Sequence, residues 1–77
     1  MTIEVETTSV ITIERVTPVE DITKLDEELS ALLEGTDITI EDTGYFTPTR
    51  TRDWEIEFRG TPAELNILIN KLKEAGF

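Results

Sequence analysis

Ser9 and Ser30 are the only serines of this chain, which contains neither cysteine nor histidine. A hydroxyl becomes a nucleophile when a base beside it takes its proton, and neither serine has such a base in its neighbourhood of sequence. Carboxylates could do acid–base work, but that requires one of them in an apolar pocket with its proton held near neutral pH. The acids here alternate with apolar residues and so fall on polar faces. No catalytic residue is expected, and the chain does not read as an enzyme.

Metal and cofactor chemistry find as little to work with. Asp37-Ile38-Thr39-Ile40-Glu41-Asp42-Thr43-Gly44 gathers oxygen donors near a glycine, yet it alternates like a strand and lacks the spacing of a calcium loop. Gly35, Gly44, Gly60 and Gly76 stand apart from one another, so there is no glycine-rich phosphate loop, and each is better explained as a cap or turn. No metal site and no cofactor are expected.

What the chain has in excess is negative charge. Of its 77 residues 17 are Asp or Glu and 7 are Lys or Arg, a net charge of -10. Residues 1–42 carry twelve acids against Arg15 and Lys24, whereas residues 43–77 balance five acids with five bases. A field of this sign repels phosphate and attracts cationic protein surfaces, so direct binding to nucleic acid or to an anionic membrane is disfavoured. The absence of a long apolar run and of a basic leader pattern reads as a soluble, intracellular chain.

The elements that must position these charges are legible in outline. Thr17-Pro18-Val19-Glu20 and Thr61-Pro62-Ala63-Glu64 both match a capping box with proline at the first helical position. After the first, Ile22, Leu25, Leu29, Leu32 and Leu33 recur at helical spacing until Gly35. After the second, Leu65, Leu68, Ile69 and Leu72 do so until Gly76. Asp37–Asp42 alternates around Ile38 and Ile40. Arg52–Arg59 places Trp54, Ile56 and Phe58 on one face and Asp53, Glu55 and Glu57 on the other. A turn at Thr47-Pro48-Thr49 would set Ile40 opposite Ile56.

Residues 2–16 also alternate, but fifteen residues exceed the usual strand length of roughly 3–10. A hairpin with Thr7-Thr8-Ser9 as its loop would pair Val5 with Ile11 and Ile3 with Ile13. The loop lacks the glycine or asparagine such turns favour, so one long bent strand is the alternative.

Residues 1–77 thus read as a single α+β domain, a small two-layer sandwich with an antiparallel sheet and two helices on one face. Its order is ββαββα, with sheet order 1-2-4-3, or βαββα without the first hairpin. The four-stranded version resembles a ferredoxin-like layout with its last strand moved to the front, a resemblance of layout that implies no function.

On the face away from the helices, Glu4, Glu6, Glu14, Glu41, Glu55 and Glu57 would project as a negative array. Tyr45 and Phe46, in the connection before Arg50 and Arg52, are candidate aromatic anchors. The functional expectation is a non-catalytic interaction domain that binds a basic protein surface through these residues, in its most concrete form a nucleic-acid-mimicking inhibitor of the kind phages make. The competing expectation is a ligand-free scaffold, natural or designed, since paired caps and glycine stops are what design rules ask for.

Overall fold

A computed structural model describes residues 2–77. Its elements are β1 (Thr7–Val16), a short 3₁₀ turn (Val19–Asp21), α1 (Ile22–Leu33), β2 (Thr39–Phe46), β3 (Thr51–Gly60) and α2 (Pro62–Glu74). Among the described residues the sheet has three strands, ordered β1-β3-β2 with both pairings antiparallel. The chain is therefore a small α+β fold of order βαββα. No described helix is long and apolar enough to cross a membrane.

This corrects the expected amino-terminal hairpin. Thr7, Thr8 and Ser9 are not a loop but the first residues of β1, paired with Gly60, Arg59 and Phe58. Ile3 and Val5, which the hairpin would have buried, are 80% and 60% exposed. The physical reason is the competition between partners. A hairpin loop of Thr-Thr-Ser supplies no residue suited to a left-handed turn, whereas β3 offers a ladder of ten pairs from Thr7–Gly60 to Val16–Thr51. The order 1-2-4-3 falls with the hairpin.

Alternation sorts the core as expected. Trp54, Ile56 and Phe58 of β3 and Ile13 of β1 are buried in one cluster with Leu25, Leu29 and Leu33 of α1 and Leu68 and Leu72 of α2. Trp54, Ile56 and Leu29 are wholly inaccessible. Buried apolar side chains of this size each contribute on the order of 2 kcal/mol, so this cluster is the main source of stability in a chain without disulfides.

The two Thr-Pro-x-Glu segments take different structures. Thr61 forms the full capping box: its hydroxyl accepts from the Glu64 N–H at 3.2 Å, and Glu64 Oε1 accepts from the Thr61 N–H at 3.1 Å. Thr17 does not cap. Its side chain is fully buried and donates to the Arg15 carbonyl at 3.0 Å, its N–H donates to the Arg50 carbonyl, and its own carbonyl accepts the Tyr45 hydroxyl at 2.8 Å. Thr17 is thus pulled into contacts between β1 and the β2–β3 hairpin, and the chain runs through the 3₁₀ turn before α1 begins without a side-chain cap. At the other end of α2, Gly76 (φ 90°) lets Phe77 N–H reach the Leu72 carbonyl and Gly76 N–H reach the Lys73 carbonyl. This left-handed closure seats the Phe77 ring edge-on against Trp54.

Ile40 does face Ile56, by a less direct route than a three-residue turn. The turn has four residues, Thr47 to Arg50, with Arg50 N–H donating to the Thr47 carbonyl and Arg50 itself at φ 54°. Counted back from Phe46–Thr51, a smooth ladder would set Glu41 against Ile56. A bulge between Ile40 and Asp42 takes up the extra residue and returns Ile40 to the core side.

Candidate acidic interface

The register fixes which side chains share the face opposite the core. Across it, β1–β3–β2 neighbours read Val10–Glu57–Thr39, then Thr12–Glu55–Asp42, then Glu14–Asp53–Gly44, then Val16–Thr51–Phe46. Strands lie about 4.8 Å apart and alternate residues about 6.7 Å apart along a strand. Glu14, Asp42, Asp53, Glu55 and Glu57 therefore form a contiguous block of carboxylates, all at least partly exposed. The same-face neighbour Arg59, opposite Thr8, is the block's basic end, and it forms an ion pair with Glu6. The hydrogen bond and charge of Glu6 push the Arg59 guanidinium above its ordinary value, so it stays charged.

The expected site residues divide accordingly. Glu14, Glu55 and Glu57 lie in the block. Glu41 is the extra residue of the bulge and accepts the Thr39 hydroxyl. Glu4 and Glu6 precede β1; with Asp37, Glu41, Glu57 and Glu64 they line an open cleft of about 770 Å³ at the Arg59 end of the sheet. Asp42 and Asp53 belong to the block although the sequence did not single them out as partner residues. Asp42 reaches the outer face because of the bulge, which alternation alone does not reveal. Tyr45 and Phe46 are strand residues of β2. Tyr45 is half-buried and tied to Thr17, while Phe46 is 60% exposed beside Thr51, whose other neighbour is Val16.

Asp26 of α1 departs from the expectation that every acid lies on a polar face. Its Oδ1 accepts from Trp54 Nε1 at 2.8 Å and from Arg52 Nε at 3.2 Å, and its Oδ2 pairs with Arg52 Nη2 at 2.8 Å. Arg52 also donates to the Gly44 carbonyl and lies 5.8 Å from the Trp54 ring. Arg15, opposite Arg52 on β1, has its guanidinium 5.5 Å from the Phe77 ring, and its Nη1 is buried with no hydrogen-bond partner among the described residues. Arg52, Tyr45 and Trp54 are thus engaged in holding the fold.

No protein family, curated protein or solved structure matches this chain. Among the described residues no cluster of acidic side chains has a geometry that could hold a metal ion.

Proposed function

We propose that the chain is a non-catalytic interaction domain whose outer sheet face docks on a basic protein surface. A two-layer arrangement supports this, with both helices covering the Trp54 face and the opposite face left to solvent. The order β1-β3-β2 supports reading the fold as a ferredoxin-like layout that lacks one edge strand.

The observation that carries the proposal is charge density. Asp53 to Glu57 spans four residue steps, about 13 Å, and the block carries five carboxylates over that length, about one per 2.6 Å. A nucleic acid duplex carries about one charge per 1.7 Å of axis, so the two are of the same order. A protein groove built to neutralise phosphates would meet a comparable field on this face, which is the basis for the inhibitor by mimicry.

The test is reversal of Glu14, Glu55 and Glu57 to lysine, compared with reversal of Glu27 and Glu28 on α1. Affinity for a basic partner captured at low salt should collapse in the first variant and persist in the second. Equal binding by both variants, or no partner at low salt, overturns the proposal in favour of a scaffold.

A further inference from the structure

The two edges of the sheet are built differently. The β2 edge carries a bulge at Glu41, flanking acids Asp37 and Asp42, and the neighbouring amino-terminal residues Glu4–Glu6, which line the same cleft. Bulges and charges are the usual means by which a sheet edge avoids pairing with another chain. The β1 edge is less guarded: Glu4 and Glu6 precede it, but the strand itself has no bulge. It runs ten residues, Thr7–Val16, without proline or bulge, and its two charges, Glu14 and Arg15, are adjacent and opposite in sign. The Thr17 N–H bonds to the Arg50 carbonyl in the same register as the β1–β3 ladder, so the odd-numbered residues of β1 bond to β3 and the N–H and C=O groups of Thr8, Val10, Thr12, Glu14 and Val16 point away from it.

We infer that β1 pairs with β1 of a second copy, antiparallel about a two-fold axis at Thr12, joining two three-stranded sheets into one of six. A strand that pairs with itself must keep residues of one parity opposite each other, so that both cores stay on the same side. With the axis at Thr12, Ile11 faces Ile13 of the second copy, Val10 faces Glu14, Ser9 faces Arg15 and Thr8 faces Val16. No like charges are opposed, and the half-buried Ile11 gains an apolar neighbour on the core side. Moving the axis to Ile11 sets Ile13 against serine, and moving it to Ile13 sets Ile11 against arginine. The Thr12 register is the self-complementary one. Val10 and Val16, 67% and 72% exposed on the outer face, also gain cover.

The dimer would lay two acidic blocks side by side, so screening should strengthen it, whereas docking on a basic partner weakens as salt rises. The two ideas therefore fail separately.

Because the chain has no cysteine, single substitutions report geometry cleanly. Sedimentation should give a mass near twice 8.7 kDa at high concentration and moderate salt. Thr12→Cys should oxidise to a covalent dimer, while Thr39→Cys on the β2 edge should remain monomeric. Thr12→Lys keeps a favourable neighbour within the chain, Glu55, but opposes two lysines across the axis, and should raise the dissociation constant about tenfold or more with the Trp54 signal unchanged. A wild-type chain that stays monomeric as salt and concentration rise overturns the inference. So does a dimer indifferent to Thr12→Lys, or cross-linking of Thr39→Cys as fast as of Thr12→Cys.

Discussion

Asp26 and Thr17 are polar side chains whose value lies in what they satisfy. Removing the Asp26 carboxylate leaves the Trp54 N–H, in a side chain with no solvent access, without its acceptor. Asp26→Ala should therefore cost about 1–3 kcal/mol in denaturant melts, while Glu27→Ala and Glu28→Ala stay within about 0.5 kcal/mol. Thr17→Val keeps the shape and deletes one buried hydroxyl, which should cost on the order of 1 kcal/mol, and Tyr45→Phe tests the other bond to the same residue. Thr61→Ala should cost about 1 kcal/mol for a different reason, the loss of an N-cap. Its partner Glu64 adds a pH dependence. The Thr61 N–H, and next its hydroxyl, pull the Glu64 carboxyl below its ordinary value. A carboxyl lower in the folded than in the unfolded state stabilises at neutral pH, and that contribution is lost as pH falls through the depressed value. Glu64→Gln should flatten this part of the acid limb in melts taken from neutral pH downward.

At the scale of elements, the bulge at Glu41 corrects a register that the four-residue turn sets one step out. A chain lacking Glu41 should still fold with Ile40 opposite Ile56, now in a smooth ladder, and cross-strand proton contacts between the two would show it; their loss would mean the bulge does more than absorb a residue. Both helices, the stop at Gly76 and the buried run Trp54-Ile56-Phe58 were legible in the sequence, because each follows from local periodicity or local turn chemistry. The pairing of Ile40 with Ile56 was expected from a three-residue turn, whereas a four-residue turn and a bulge produce it. The partner of residues 7–16 was not. Alternation says which face Ile11 and Ile13 take but not which strand lies beside them, and that choice was settled by a ten-residue ladder on β3, far along the chain. Thr17 and Thr61 show the same limit, since identical capping signatures diverge once Tyr45 and Arg50 engage one of them. Of the acidic face, Glu14, Glu55 and Glu57 were readable from alternation, whereas Asp42 depends on the bulge and Asp26 on a tertiary bond to Trp54.

The whole molecule is long for its length of chain. Its radius of gyration is 13.9 Å and its extents are 53 × 19 × 18 Å, whereas a compact chain of this size has a radius near 11.5 Å. The members of the carboxylate block repel one another. Raising salt from about 0.01 M to about 1 M shortens the screening length from about 30 Å to about 3 Å, and the melting temperature should rise across that range. Glu55→Lys combined with Glu57→Lys breaks the block at its centre and should reduce the salt response; an undiminished response would place the repulsion elsewhere. The seating of Trp54 also makes the molecule its own optical reporter. The chain has one tryptophan, bonded to α1 through Asp26 and met edge-on by Phe77 at the end of α2. Its emission, blue-shifted by burial, should relax to the red when either helix leaves the sheet, so a single wavelength registers both dockings. If the helices detach in separate steps, that one indole will show two transitions where circular dichroism shows the loss of each helix in turn.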